Sequence, residues 1–234
     1  MADIPTGPGG LLVVAVDGPS AAGKGTLARG LAQHFGLAFL DTGLLYRAVA
    51  ARVLAAGEDP SHAAAAEAAA HAIEFAELDA AALRDDAVAQ AASKVAALPA
   101  VRSALLGLQR RFAAVPPPGP DGTVRGAVLD GRDIGTVVCP DAPVKLFVTA
   151  SLEARAQRRH RELLARNGKS IYARVLQDMK ERDERDATRH VAPLTPAPDA
   201  LVLDTTTLNA EASLAVAVSF VGRRWRGETM TALA

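Results

Sequence analysis

A glycine-bounded loop near the amino end, Gly18-Pro-Ser-Ala-Ala-Gly-Lys-Gly-Thr26, restricts the possible folds of this chain more than any other stretch. An apolar run at 11–16 precedes the loop and a helix-like stretch at 27–33 follows it, which is the strand, loop and helix order of a phosphate-binding loop. The glycines let backbone N–H groups point inward, and the helix adds partial positive charge at its amino end. The loop therefore predicts an α/β fold that binds a nucleoside triphosphate; the alternative is a chance loop of this composition.

Two side chains of this loop are suited to phosphate chemistry. Lys24 is a mobile cation that can follow charge toward a phosphoryl group in transfer. Thr26 carries the hydroxyl expected on magnesium, one residue later than usual because Gly25 follows the lysine. The loop therefore predicts a magnesium-dependent nucleotide site.

Four further apolar runs predict the remaining strands of a parallel sheet, at 37–40, 126–130, 142–149 and 201–204. Ligands of such sheets bind at the carboxyl ends of the strands, where Asp41 and Thr42 follow the first of these runs. Thr42 is interpreted as the N-cap of the next helix, which carries Arg47. A phosphate contact is the functional interpretation of both side chains, and a plain cap and a surface arginine are the alternatives.

The run Asp130-Gly-Arg-Asp133 lies at the end of another predicted strand. Asp130 is placed where a carboxylate can order the water shell of a magnesium ion. Arg132 and Asp133 follow on the same edge of the sheet. An arginine at a strand end is usually solvated, but in a chain that binds phosphate this run favours a site.

The middle of the chain, 62–112, is rich in alanine and predicts helices. One helix is expected over 85–98 and carries Ser93; Pro99 starts another, with Arg102 in its first turn. Only 72–76 resembles a strand in this region. The proline-rich segment 115–122 predicts an exposed connector back to the sheet, and Asn209 is expected to cap a final helix that ends near Gly222.

Arginine is concentrated between residues 151 and 191, where 11 Lys or Arg, nine of them Arg, stand against 7 Asp or Glu. Two helices separated by Asn167-Gly168 are predicted there. Helical spacing places Arg155, Arg158 and Arg159 on one face of the first, and Arg182, Arg185, Asp186 and Arg189 on one face of the second. A solvated charged face is the alternative, but the planar guanidinium suits phosphate oxygens and indicates a small anionic ligand.

Overall composition excludes several classes of protein. The 26 basic and 26 acidic residues cancel, which does not favour nucleic acid or membrane partners. Cys139 is the single cysteine, so no internal disulfide can form, and a small buried thiol fits a reducing compartment. With no signal-like amino end and no apolar run near the roughly 20 residues of a membrane span, we expect a cytoplasmic protein.

Several longer motifs now point to one family. The Lys24-Gly-Thr26 ending, Asp41-Thr-Gly-Leu-Leu-Tyr-Arg47, Ala92-Ser93-Lys-Val-Ala, the run 130–143, and the run 181–189 followed by Val191-Ala-Pro-Leu together resemble bacterial cytidylate kinase. This family belongs to the nucleoside monophosphate kinases among the P-loop proteins. The resemblance extends from about Val13 to about Thr207 and is weak in the middle.

The resemblance implies a three-layer α/β/α P-loop fold with a parallel five-stranded sheet. It implies a core formed by 11–56, 123–150 and 193–226, a helical monophosphate-binding insert at 57–122, and an arginine-rich lid at 151–192. The insert of the family holds a small antiparallel sheet, which is reduced in this sequence.

The resemblance also implies a role for each matched residue. Catalytic roles fall to Lys24, Arg132, Arg155, Arg159 and Arg182. ATP phosphates would be held by Gly18, Pro19, Ser20, Ala21, Ala22, Gly23, Lys24, Gly25 and Thr26, and magnesium by Thr26 and, through water, by Asp130. CMP would be bound by Thr42, Arg47, Ser93, Arg102, Arg132, Asp133, Arg182, Asp186 and Arg189, of which Ser93, Arg102 and Asp133 read the cytosine.

The reaction implied is transfer of the γ-phosphoryl group of ATP to CMP or dCMP with Mg²⁺. The partners expected are these nucleotides alone, with no nucleic acid and no membrane, and the protein is expected to act as a monomer. A kinase with UMP or AMP as acceptor is the first alternative. A regulator that binds a nucleotide without transferring phosphate is the second.

Overall fold

The computed structural model describes residues 10–75, 78, 83, 85–119, 121–189 and 191–227. Its centre is a sheet of five parallel strands: β1 (Leu12–Asp17), β2 (Ala38–Asp41), β3 (Gly126–Asp130), β4 (Val144–Thr149) and β5 (Leu201–Asp204). The strand order is β2-β3-β1-β4-β5, and every neighbouring pair is parallel. The predicted α/β fold with a five-stranded parallel sheet is therefore confirmed.

Helices cover both faces of the sheet, because successive side chains of each strand point to opposite sides and both sides are apolar. The helices are α1 (Lys24–Phe35), α2 (Thr42–Ala55), α3 (Ala63–His71), α4 (Asp86–Val95), α5 (Pro99–Ala114), α6 (Leu152–Asn167), α7 (Tyr172–Thr188) and α8 (Ala210–Trp225). Val14 and Leu146 pack in a core with α1 and α8. Ala15 and Leu129 pack in a second core with α2 to α5. The result is a three-layer arrangement.

Helix starts follow the predictions with one correction. Asn209 caps α8, accepting from Ala212 N at 2.8 Å, and Pro99 is the first residue of α5. Thr42 was expected to cap α2, but Asp41 is the cap, and its carboxylate accepts from Gly43 N at 3.0 Å. The Thr42 hydroxyl instead donates to the carbonyl of Asp130 at 2.8 Å, because β2 and β3 are neighbours in the sheet.

The described residues between 57 and 122 form helices and loops and contain no strand. The strand expected at 72–76 is wrong for residues 72–75, and residue 76 lies outside the described part. Ile73 is buried there against the helices. This segment therefore buries its apolar side chain without pairing in a sheet. Helix α5 and the connector that follows it lead the chain back to β3.

In the part of the chain that the structure describes, no single helix is both long and apolar enough to cross a membrane. The stretches Ala87–Val95 and Pro99–Ala114 pass that test only when they are joined, and the chain bends by 96° between them. Their residues Val95, Val101 and Leu105 are fully buried in the core.

Two glycine substitutions are expected to change stability in opposite directions. Gly126 has φ near +143°, and a Cβ there would lie 2.0 Å from the carbonyl oxygen of Leu12, so Gly126→Ala should lower the free energy of unfolding by about 3 kcal/mol or more. Gly107 lies on the exposed side of α5 with space for a methyl group, so Gly107→Ala should raise it by about 0.5–1 kcal/mol. Urea unfolding measures both, and equal effects would contradict the prediction.

Candidate active site

A cleft of about 490 Å³ opens at the carboxyl ends of β1, β2 and β3. Parallel strands present their carboxyl ends on one edge, so the segments that follow them meet there. The cleft is lined by seventeen of the residues predicted from the sequence: Ser20, Ala21, Gly23, Lys24, Gly25, Thr26, Thr42, Arg47, Ser93, Arg102, Asp130, Arg132, Asp133, Arg159, Arg182, Asp186 and Arg189. Segments far apart in the chain thus form one site.

The loop between β1 and α1 has the backbone geometry of an anion-binding loop. Gly18, Ala21 and Gly23 all have positive φ values, of 140°, 58° and 92°. A Cβ on Gly18 would lie 1.9 Å from the carbonyl oxygen of Val148, so only glycine fits against β4. Gly23 stands at the N-cap of α1 without a side-chain cap, which leaves the amino end of that helix available to an anion.

Lys24 is buried at the centre of the cleft, where its Nζ donates to the carbonyl of Pro19 at 2.7 Å. Burial, together with the charge of Arg132, lowers the pKa of Lys24 to about 7 against the opposing effect of Asp130. Burial likewise lowers the pKa of Arg182 to about 10, and Arg132 adds to that effect. Lys24 and Arg182 are both repelled by Arg132. A bound anion would favour the charged forms of Lys24 and Arg182 and so raise both pKa values.

One side of the cleft contains a buried ion pair. Arg102 Nη2 donates to Asp133 Oδ2, and both side chains are less than a tenth exposed. The Arg102 guanidinium also lies over the ring of Tyr46, 5.6 Å from its centroid. Ser93 is nearby on α4, where its hydroxyl accepts from Arg185 Nη1 at 2.9 Å. A carboxylate, a guanidinium and a hydroxyl therefore stand together on one wall.

The arginines of α7 and of the loop after β3 form a second group. Arg132 Nε donates to Asp186 Oδ2 at 3.0 Å, and this carboxylate is also attracted to Arg182 and Arg189. Burial is the largest effect on Asp186, but the arginines hold its pKa below the ordinary value. Within the described residues, the Nε atoms of Arg182 and Arg189 are buried without a hydrogen-bond partner. Such donors are expected to be satisfied by ordered water or by a ligand.

Arg155 does not line the cleft, although the sequence placed it with the catalytic cations. Its guanidinium is buried and donates to Asp183 through both Nη atoms, at 3.2 and 2.7 Å. It also donates to the carbonyls of Ala150 and Ser20, at 2.9 and 3.3 Å. Arg155 thus joins α6 and α7 to the phosphate-binding loop, and its contact with a phosphoryl group stays a prediction.

A second cavity of about 600 Å³ adjoins the first and shares Gly23, Thr26 and Arg158 with it. Ala22 lies here rather than in the first cleft. Arg158 donates to Thr205, to the hydroxyl at 2.9 Å and to the carbonyl. The Thr205 hydroxyl in turn donates to the carbonyl of Ala22 at 2.9 Å. The two cavities therefore lie on either side of the amino end of α1.

Gly18 and Pro19 do not line either cavity, since they form the base of the loop. Sequence reasoning gave no role to Asp17, which lines neither cavity but accepts from the backbone just after Asp133, and no individual role to Arg158, which lines both cavities. Asp17 ends an apolar strand with a carboxylate, which is the same signal that singled out Asp41 and Asp130. Arg158 shares a helix face with Arg159, but only its contact with Thr205 shows that it reaches both cavities.

The described residues contain no group of three or more His, Cys, Asp or Glu side chains able to hold a metal ion by themselves. Thr26 and Asp130 nevertheless line the cleft beside Lys24. A hydroxyl and a carboxylate, completed by phosphate oxygens and water, form the donor set that Mg²⁺ favours on a nucleotide. Cys139 is partly buried, and burial raises the pKa of its thiol to about 11.

Positive charge is concentrated in the first cleft although the whole chain is neutral. Ten basic side chains line it, one lysine and nine arginines, against five carboxylic acids, a formal excess of five positive charges. Arginine forks in a partly buried setting bind phosphate oxygens well. The arrangement can therefore hold two phosphorylated ligands end to end and neutralise charge that develops between them.

Comparison with known proteins agrees with this chemistry. A family model described as cytidylate kinase matches residues 14–221. A cytidylate kinase of Paramagnetospirillum magneticum is 58% identical over 212 residues, which cover 91% of this chain and 98% of the relative. A cytidylate kinase of Methylobacterium sp. (strain 4-46) is 59% identical over 216 residues, covering 92% and 99%. One from Xanthobacter autotrophicus is 55% identical over 216 residues, covering 92% and 100%. The similarity spans every segment that lines the cleft.

Proposed function

This chain belongs to the cytidylate kinase family, and on that basis we propose that it transfers the γ-phosphoryl group of ATP to CMP or dCMP, giving ADP and CDP or dCDP. The observation that carries this proposal is the excess of five positive charges in one cleft beside the phosphate-binding loop. The cleft-lining residues assigned to both nucleotides belong to this chain, and we propose that the protein acts as a monomer.

The transfer is promoted by positioning and by charge. The phosphoryl group in transfer carries negative charge on three oxygens, and the attacking nucleotide phosphate brings more. Lys24, Arg132 and Arg182 stabilise that charge, together with Arg159. No general base is needed, because a nucleotide phosphate oxygen is already ionised near neutral pH. Closure of the cleft also excludes water, which would otherwise accept the phosphoryl group.

The donor nucleotide occupies the loop and the second cavity. The loop 18–26 holds its phosphates through its backbone N–H groups, of which Pro19 has none, and its base and ribose extend into the cavity beside Thr205. Thr26 would hold Mg²⁺ directly and Asp130 through water, and the ion would neutralise phosphate charge when bound. Arg155 reaches the phosphates only after exchanging Asp183 for a phosphate oxygen.

The acceptor nucleotide occupies the first cleft. Its phosphate, or the surroundings of the phosphate, is contacted by Thr42, Arg47, Arg132 and Arg189. Its ribose lies toward Arg182 and Asp186. Cytosine has an amino donor next to two acceptors, so it needs a carboxylate and donors opposite, which Asp133, Arg102 and Ser93 supply. We assign the core to 11–56, 123–150 and 193–226, the acceptor insert to 57–122 and the lid to 151–192.

The proposed function is tested by offering a panel of monophosphates to the purified protein with ATP and Mg²⁺ and following ADP release. We expect ADP release that depends on CMP or dCMP. Turnover with UMP or AMP in preference would support the first alternative. Hydrolysis independent of any acceptor would support a nucleotide-binding regulator.

Substitution of Arg158 tests the donor side. Arg158→Met removes a cation shared by both cavities and its bonds to Thr205, so we expect KM for ATP to rise about tenfold with KM for CMP changing less than about threefold. The control is Arg223→Met, which removes a partly buried arginine of α8 that bonds only within its helix among the contacts described. Equal increases for both substrates of Arg158→Met would contradict this assignment.

A further inference from the structure

The amino end of a π-helical turn beside the cleft, Ile134–Val138, is capped by a carboxylate from a distant part of the chain. Asp17, the last residue of β1, accepts from Ile134 N at 2.7 Å through Oδ1. Its Oδ2 accepts from Gly135 N at 2.8 Å. The side chain is buried, and both oxygens are occupied by the backbone of a segment more than a hundred residues later.

Asp133 occupies the position from which such a turn is ordinarily capped. It directly precedes Ile134, and an aspartate at an N-cap usually accepts from a backbone N–H two or three residues ahead. Asp133 makes no cap bond of this kind. Its carboxylate pairs with Arg102 on the acceptor wall of the cleft instead. The cap supplied by Asp17 therefore leaves the Asp133 carboxylate available to the cleft.

We propose that Asp17 is a positioning residue for cytosine recognition, because it caps the turn in place of Asp133 and so keeps the Asp133 carboxylate directed at the acceptor. This inference rests on the proposed role of Asp133 in the function given above. Without Asp17, two buried N–H groups would lose their acceptor, which is costly. Asp133 is the residue placed to satisfy one of them, and doing so would turn it away from Arg102.

The backbone of the donor side is held without this carboxylate, although the charge of Asp17 also acts on Lys24. The backbone of β1 is held by β3 on one side and by β4 on the other. Gly18 is packed against the carbonyl of Val148, which fixes the start of the phosphate-binding loop by backbone contact alone. Loss of the Asp17 side chain should therefore affect CMP and leave ATP nearly unchanged, whereas general damage to the fold would affect both.

The experiment compares two variants of Asp17 by steady-state kinetics. Asp17→Asn keeps the volume and one acceptor oxygen, and Asp17→Ala removes both acceptors. We expect KM for CMP to rise about tenfold in the first and about thirtyfold in the second, with KM for ATP within about threefold of wild type. Asp59→Ala is the control, since it removes a carboxylate that accepts from the backbone of Ser61 outside the cleft and should not separate the two KM values.

A double-variant cycle with Asp133→Ala shows which proposal fails. Without the Asp133 carboxylate, Asp17 has nothing to direct, so Asp17→Asn should lower kcat/KM for CMP by less than about a further twofold in that background. The inference would be overturned if the losses of kcat/KM for CMP in the two single variants multiply in the double variant. Equal increases in KM for CMP and for ATP in Asp17→Asn would also overturn it. If Asp133→Ala alone raises KM for CMP and KM for ATP equally, the base-reading role of Asp133 is wrong. The inference about Asp17 then fails with it. Should Asp17→Ala not fold, the isosteric Asp17→Asn carries the test.

Discussion

Replacing Lys24 with methionine is expected to lower kcat by about 10³-fold, the largest effect of any single substitution in this chain. Lys24 is the buried ammonium group at the centre of the cleft, and a thioether of similar length cannot follow charge onto the phosphoryl group. Rapid-quench measurement of the transfer step with ATP and CMP checks this result. A kcat within about tenfold of wild type would contradict a role of Lys24 in the transition state.

The same variant should be more stable than the wild type at low pH. The pKa of Lys24 is about 7 in the folded protein and 10.5 ordinarily, so between these values the unfolded chain binds more protons and wild-type stability rises with pH. Below pH 7 the wild type carries the full cost of the buried charge. Lys24→Met should therefore raise Tm at about pH 6, and the gain should shrink by about pH 9.5. A loss of Tm at both pH values would contradict this electrostatic account.

Replacing Asp133 with alanine is expected to raise KM for CMP about 100-fold while KM for ATP changes less than about threefold. A site built to hydrogen-bond a polar base loses that substrate strongly when the buried partner is removed, whereas the phosphate-binding loop does not contact this side chain. Asp133→Asn keeps an acceptor oxygen without the charge and should give an intermediate effect. Equal increases in the two KM values would contradict the assignment of base reading.

Stability must be separated from recognition in this test, because Asp133→Ala leaves Arg102 as a buried charge without its carboxylate. Removing one member of a buried pair costs about 3–5 kcal/mol of folding free energy. The double variant Arg102→Met with Asp133→Ala removes the whole pair and should recover most of that loss. It should not recover KM for CMP, since both groups that face the base are gone.

The strands and the loop of the core could be predicted closely from the sequence. The runs 126–130 and 201–204 were predicted with the bounds that β3 and β5 have. Each is a short apolar run that ends at an aspartate, so its pattern is local. The same holds for Pro99 at the start of α5 and for Asn209 at the start of α8.

Two features that the sequence did not predict depend on partners far away in the chain. Asp41, not Thr42, caps α2, because the Thr42 hydroxyl donates a hydrogen bond to the carbonyl of Asp130 at the end of β3. The turn at 134–138 was not predicted, since its amino end is held by Asp17 of another strand. No window of neighbouring residues contains either partner.

The sequence by itself determined that this chain has a backbone-lined anion site between a strand and a helix, and that arginines gather in one later segment. Only the tertiary structure decided which of those arginines meet that site. Helical spacing puts Arg155 and Arg159 on one face, yet Arg159 lines the cleft while Arg155 is bound by Asp183 and the carbonyl of Ser20. The physical reason is that periodicity sets the relative direction of side chains within a helix, whereas packing against other helices and loops sets what each one meets.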